Sequence, residues 1–72
     1  MFNNYFEART YTLCVLGLGK TKSYTFLTRE NANQHMYKLC GKHNLQIVEV
    51  YNDHHDKTYI CNNGVRFQIS RA

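Results

Sequence analysis

The sequence predicts a small α+β domain in which one helix packs against one face of a largely antiparallel sheet. The chain has 72 residues, which is the size of one domain. Segments with period-two alternation, typical of strands, lie on both sides of one segment with helical spacing. The predicted order is β-β-α-β-β-β, and a single helix can cover one face of such a sheet. We expect residues 1–72 to form one domain, with residues 1–7 as a loosely ordered lead-in.

The first two strands are predicted to form a hairpin. Residues 9–16 alternate, with Tyr11, Leu13 and Val15 on one face. The glycine-containing stretch 17–20 breaks this pattern, and alternation resumes over residues 22–27, where Tyr24 and Phe26 share a face. β-Branched and aromatic residues at period two favour strands, and a short glycine loop between them favours a hairpin.

A helix is predicted to begin after Thr28, whose hydroxyl can accept a hydrogen bond from a first-turn amide. Glu30 follows where the helix dipole favours negative charge. Gly41 is predicted to supply the left-handed cap, with Asn44 as the alternative. The apolar stripe at helical spacing consists of Ala32, Met36, Leu39, Cys40 and His43.

Three further strands are predicted after the helix. Residues 45–51 are apolar on both faces, which is typical of a central strand. The polar stretch 52–57 is predicted to be a turn, and residues 58–61 a short fourth strand. Asn63-Gly64 predicts a type I′ turn, which requires positive φ at both central residues. From Val65 onward, apolar and polar residues alternate in a fifth strand.

The cysteines and the apolar pattern favour a reducing, non-membrane location. Cys14, Cys40 and Cys61 are odd in number and far apart, so we interpret them as reduced thiols that pack in the core. No apolar run approaches the roughly 20 residues of a membrane span. The first residues also lack an apolar signal core. We expect a cytoplasmic protein with no membrane partner.

No pattern in the chain predicts catalysis or a cofactor. The stretch Gly17-Leu18-Gly19-Lys20-Thr21 is similar to the end of a phosphate-binding loop, but Cys14 stands where that motif needs glycine and a strand follows where it needs a helix. Cysteine–histidine pairs are conceivable, but no third orienting group accompanies them. These pairs are Cys61 with His54 or His55, and Cys40 with His43. We expect a non-enzyme without a cofactor.

His54 and His55 are weak metal candidates. They stand between Asp53 and Asp56, and imidazoles with carboxylates suit zinc. Adjacent side chains in an extended segment point to opposite sides, however, and no paired spacing elsewhere supplies further ligands. A solvated turn is therefore the preferred interpretation, and no metal site is assigned.

Tyrosines are the most prominent candidates for a binding surface. Since one helix covers only one sheet face, several tyrosines are expected to reach the other face and to anchor a protein partner. The alternative is that their rings pack at the rim of the core with the hydroxyl in water. The candidate protein-binding residues are Tyr11, Tyr24, Tyr51 and Tyr59.

Net charge supports a second hypothesis, in which the chain binds DNA or RNA. Nine Lys and Arg against five Asp and Glu give a net charge of +4, which favours partners with negative surfaces. Interleaved aromatic rings could stack on bases. The candidate phosphate-binding residues are Lys20, Lys22, Lys38, Lys42, Arg66 and Arg71.

Composition also carries a hint of origin. Asn, Tyr and Lys are plentiful, whereas Pro and Trp are absent, which is typical of an AT-rich genome. A short, basic chain of this kind is similar in style to small bacteriophage early proteins, which bind one host macromolecule and block or redirect it. We therefore expect an inhibitor or modulator of a host protein. An unpaired sheet edge would also permit a homodimer.

Overall fold

The computed structural model describes residues 10–53 and 56–71, and it confirms the predicted α+β class and element order. One helix packs against a five-stranded antiparallel sheet within this part of the chain. The predicted lead-in lies outside the described residues. The elements are β1 (Tyr11–Leu16), β2 (Lys22–Phe26), α1 (Arg29–His43), β3 (Ile47–Asp53), β4 (Asp56–Cys61) and β5 (Arg66–Arg71).

The strands lie side by side in the order β2-β1-β5-β4-β3. The central pair, β1 with β5, joins segments far apart in the sequence, with Tyr11 opposite Arg71 and Leu16 opposite Arg66. The helix contacts β1, β2 and β5. The helix backbone therefore lies over three strands, and the buried side chains Tyr59 and Cys61 of β4 border the same core, whereas the backbone of α1 does not approach β3.

The core lies between α1 and the covered strands. Alternation along β1 directs Leu13 and Val15 toward the helix, and the register sets them opposite Ile69 and Phe67 of β5. Phe67 and Leu13 are fully buried. The helix contributes Ala32, Met36 and Cys40, which share one face at helical spacing. The period-two and period-3.6 patterns thus meet in one apolar layer.

Both helix ends follow local side-chain chemistry. The Thr28 hydroxyl accepts a hydrogen bond from the Asn31 amide at 3.1 Å, as predicted, and Glu30 lies in the first turn. At the other end Asn44 adopts the left-handed conformation (φ 58°, ψ 48°). The preferred prediction of Gly41 as the cap is wrong because Gly41 lies inside the helix, and the alternative, Asn44, is correct.

One member of the predicted apolar stripe does not face the core. His43 is exposed in the last helical turn, and Leu39 is only half-buried. The buried face of α1 is formed by Ala32, Met36 and Cys40.

The prediction of a central position for the third strand is wrong. β3 lies at the sheet edge beside β4. Its side chains Val48, Val50 and Tyr51 are 57%, 46% and 54% exposed. Apolarity on both faces usually reflects burial on both faces, but here the helix lies over the opposite half of the sheet. We call these three residues the β3 edge surface.

The last two hairpins also differ in detail from the predictions. The stretch 52–57 is not all turn, because β3 runs to Asp53 and β4 begins at Asp56, with these two residues paired. In the next loop only Gly64, not Asn63, has positive φ. The Gly64 amide donates to the Cys61 carbonyl at 3.2 Å. The predicted type I′ turn is therefore replaced by a three-residue loop that closes with a left-handed glycine.

Candidate binding surfaces

The four candidate tyrosines do not lie on one surface. The strand register sets Tyr11 opposite Phe26, Leu13 opposite Tyr24, and Val50 opposite Tyr59, so three of the four tyrosines lie on the helix face. Tyr59 is buried, at 5% exposure, and Tyr11 and Tyr24 are half-buried against the core. Tyr51 alone of the four points to the opposite, open face of the sheet. The structure separates this set rather than bringing it together.

The three tyrosines on the helix face are engaged by neighbouring side chains. The Arg29 guanidinium lies 5.4 Å from the centre of the Tyr11 ring, and the Lys57 ammonium lies 5.6 Å from that of Tyr59. Cations at this distance are attracted by the ring face. The Tyr24 ring packs on the His35 ring with centroids 4.6 Å apart. These rings therefore stabilise the edge of the core.

The β3 edge surface combines apolar side chains with an open strand edge. Val48 has no partner in the β3–β4 register, because a bulge lies between Ile47 and Glu49. On the open face, the Tyr51 hydroxyl donates a hydrogen bond to Glu49, and this bond and the Glu49 charge raise the pKa of Tyr51. Burial raises this pKa further and the Arg66 charge lowers it, both more weakly. The edge of β3 thus offers exposed valines together with a hydrogen-bonded tyrosine and carboxylate.

Sequence reasoning missed Val48 and Val50 as candidate binding residues, since a central strand would bury them. A signal was nevertheless present. A helix with its side chains is about 10–12 Å wide and strands are about 4.8 Å apart, so one helix covers two to three strands of five. At least one edge strand must therefore lack cover on the helix face.

The open face of the remaining sheet is lined by small polar side chains. Where β1 and β2 pair, the Cys14 sulfur lies 3.6 Å from the Ser23 hydroxyl. This face contributes hydrogen-bonding groups, with the half-buried Leu16 and Ile60 as its apolar members. Its small polar and thiol residues are Thr12, Cys14, Ser23, Thr25, Thr58, Gln68 and Ser70.

Part of the candidate basic set comes together at one end of the domain. A Cβ atom on Gly17 would lie 3.0 Å from the Gly64 carbonyl oxygen, so the β1–β2 loop touches the β4–β5 loop. The Asn62 amide donates to the Gln46 carbonyl at 3.0 Å, which brings the segment after α1 to the same place. Four of the candidates lie in or beside these three segments. They are Lys20, Lys22, Lys42 and Arg66; we call them the basic end.

The other two candidates lie elsewhere. Lys38 is one helical turn before Lys42, and Arg71 is at the opposite end of the sheet, paired with Tyr11. Three carboxylates also belong to that opposite end, which separates the charges along the domain. They are Glu30 in the first helical turn and Asp53 and Asp56 beside the β3–β4 turn.

The thiols have properties opposite to those of a catalytic nucleophile. Cys40 and Cys61 are buried and form a hydrogen bond with each other. Burial is the main cause that raises the pKa of both thiols, which keeps them protonated, whereas a nucleophilic cysteine needs a lowered pKa. Cys40 is buried and His43 exposed, so the helix does not align them as a pair.

The phosphate-loop-like stretch has the predicted hairpin context. Residues 17–21 connect β1 to β2, and no helix begins there to direct its amides at a phosphate.

The metal candidates His54 and His55 lie outside the described residues. Across residues 10–53 and 56–71, no group of three or more metal-ligand side chains comes together.

A groove between β2 and α1 is lined by polar groups. Phe26, Asn31, Gln34, His35 and Lys38 line an open volume of about 430 Å³. The Phe26 and His35 rings pack at 5.4 Å between centroids, which closes the floor of the groove. No carboxylate lines it.

In the part of the chain that the structure describes, no helix is long and apolar enough to cross a membrane. The chain matches no protein family, no curated protein and no solved structure. Its function must therefore be argued from its own surfaces.

Proposed function

We propose that this chain is a non-catalytic binding module that inhibits or modulates a protein partner through the β3 edge surface. The observation that carries the proposal is the exposure of Val48 and Val50, at 57% and 46%, on an edge strand. Edge strands are usually guarded by charged side chains, proline, bulges or very short length. β3 has a bulge before Glu49 and carries Glu49 and Asp53, but residues 49–53 pair regularly with β4 and include neither lysine nor proline, which supports a role in binding.

The mode of binding that suits this surface is addition of a strand. An extended partner segment pairs its backbone with the open edge of β3, and side-chain contacts supply the specificity. Val50 offers an apolar contact on the helix face, and Tyr51 with Glu49 offers hydrogen bonds on the open face. The short, basic chain and its amino-acid usage, which is typical of AT-rich genomes, support a bacteriophage origin. The partner is then a host protein in the host cytoplasm.

Site-specific photo-crosslinking tests this proposal. Benzoylphenylalanine replaces Tyr51 in one variant and Tyr37 in a matched control, because Tyr37 lies on α1 and is 56% exposed against 54% for Tyr51. In extract of the cells in which the gene is expressed, we expect one protein to crosslink at position 51 and not at position 37. Val50→Lys in the same chain should abolish that product. Equal labelling at both positions, or none, would contradict the proposal.

A second candidate function is nucleic-acid binding, and the basic end favours it. Its cations come from a loop, two strands and a helix, and three described carboxylates lie at the far end. We expect Lys20→Gln with Lys42→Gln to weaken binding of single- and double-stranded DNA and RNA and to reduce its salt dependence. Arg71→Gln, at the opposite end, is the control. Absence of binding by the unaltered chain at low salt would exclude this candidate.

A further inference from the structure

We infer that the β3 edge surface pairs with its counterpart in a second copy of the chain, strand against antiparallel strand, with a two-fold axis at Val50. This inference rests on the proposed function, because it concerns the same edge: the second copy covers β3 when the partner protein is absent. Among the described residues, no strand pairs with the outer side of β3. The argument depends on which register two identical copies of this strand can adopt.

Symmetry limits the choice of register. A two-fold axis perpendicular to the sheet joins two β3 strands in antiparallel orientation and keeps each face on its own side. Side chains that face the same way must therefore oppose one another. Glu49, Tyr51 and Asp53 share the open face, and Val50 and Asn52 share the helix face. Only registers centred on a residue satisfy this condition.

Charge selects among the three such registers that are centred at the middle of β3, at residues 49, 50 and 51. An axis at residue 49 sets Glu49 opposite Glu49 of the second copy, and an axis at residue 51 sets Glu49 opposite Asp53 twice. Like charges directly opposite each other destabilise a strand pair. An axis at Val50 avoids both conflicts. It sets Val50 opposite Val50 and Glu49 opposite Tyr51 on each side of the axis.

The Val50 register uses the contacts already present in one chain. Each Tyr51 donates to its own Glu49, and pairing brings the Tyr51 of each copy beside the Glu49 of the other on the open face. On the helix face, two valines that are 46% exposed cover each other. The same edge is thereby closed by apolar contact on one face and by a hydrogen-bonded cluster on the other.

The strength of this dimer should depend on concentration and salt. One strand pair buries less than the roughly 1,200–2,000 Å² of a stable interface, so we expect weak, reversible association. Each chain carries +4, so two copies repel each other. Salt screens this repulsion. Added salt should strengthen the dimer, which is the opposite of its effect on nucleic-acid binding.

Sedimentation equilibrium of the purified chain provides the first test. From micromolar to millimolar concentration, we expect the mass to rise from one chain to two, and to do so earlier at moderate than at low salt. Val50→Lys should remain at the mass of one chain. Leu27→Lys, at a residue 70% exposed in the loop before the helix, should behave like the unaltered chain. A single-chain mass at every concentration would overturn the inference.

Disulfide trapping tests the register itself. Val50→Cys should link to itself under oxidised glutathione, because the axis sets this position opposite its own copy. Val48→Cys and Asn52→Cys should each link poorly alone but link to each other when mixed. The unaltered chain measures the background from Cys14, which is half-buried. Equal self-linking at positions 48 and 50 would overturn the register. A chain that stays monomeric yet crosslinks another protein at position 51 refutes the dimer and leaves the proposed function standing.

Discussion

Tyr51 donates a hydrogen bond to the Glu49 carboxylate, and this bond holds the tyrosine proton in the folded chain. Because the pKa of Tyr51 is raised on folding, the bond stabilises the fold fully below the ordinary tyrosine pKa of about 10. The contribution is lost as pH rises through the higher pKa of the folded state. We expect Glu49→Ala to lower the pKa of Tyr51, measured by NMR titration of the ring carbon that bears the hydroxyl. An unchanged titration would contradict the bond.

Phe67 is the residue on which the core most depends. It is fully buried, lies opposite both Val15 and Tyr59 on the neighbouring strands, and belongs to the central strand β5. We expect Phe67→Ala to lower the free energy of unfolding by about 3–5 kcal/mol, measured by urea denaturation. Leu27→Ala should change it by less than about 0.5 kcal/mol, because Leu27 is 70% exposed. Similar losses in both variants would contradict this core.

Single residues are also where sequence reasoning succeeds or fails for local reasons. The Thr28 cap could be predicted because its hydroxyl bonds an amide three residues away. The end of α1 was ambiguous because Gly41 and Asn44 both tolerate the left-handed conformation. Asn44 takes it, and Leu45, the next residue, is buried in the core. Burial of Leu45 is tertiary information that the local pattern does not contain.

Among the elements, the β1–β2 loop offers a matched pair of glycines. Gly17 and Gly19 have similar φ values of 84° and 77°, but only Gly17 lies against other atoms, at the Gly64 carbonyl. We expect Gly19→Ala to cost about 1–2 kcal/mol from backbone conformation alone. Gly17→Ala should cost clearly more, because its Cβ meets the backbone of the β4–β5 loop. Thermal unfolding compares them, and equal costs would argue against contact between the loops.

The position of β3 marks what the element patterns could not predict. Alternation identified β1, β2 and β5, because it depends only on which side chains point the same way, and apolarity on both faces identified β3. The order of strands in the sheet depends on pairing between distant segments, and the helix covers β2, β1 and β5. The unknown strand order also explains why the sequence did not show that the candidate tyrosines lie on different surfaces. Period two placed Tyr11 and Tyr24 on a face, but only the pairing shows that α1 covers this face.

For the whole molecule, uneven cover predicts uneven protection of backbone amides. β1 and β5 have a strand on each side and the helix above, whereas β3 has one neighbouring strand and no helix contact. We expect native-state hydrogen exchange to be slowest in β1 and β5 and fastest in β3. In millimolar samples, β3 should slow toward the others if a second copy pairs with it. Uniform protection in dilute samples would contradict this view of the sheet.

The distribution of charge is likewise a property of the whole molecule. The composition gave the +4 charge, but Lys20, Lys42 and Arg66 are far apart in the sequence and meet only through three adjoining segments at one end. Arg71 appeared equivalent to them in the sequence and lies at the other end. Only the class of partner that a basic chain favours could be predicted, not the surface that would bind it.

The central pairing of β1 with β5 has a consequence for how the chain folds during synthesis. β1 pairs on one side with β2, which follows it directly, but its other neighbour, β5, is the last of the five described strands to be translated. Until β5 leaves the ribosome, the chain consists of two separate hairpins, β1–β2 and β3–β4, with no strand to join them. Closing so long a loop is slow compared with forming a hairpin. The core therefore forms in one late step. Before that step the helix can pack against only two of the three strands that it contacts in the folded chain, β1 and β2.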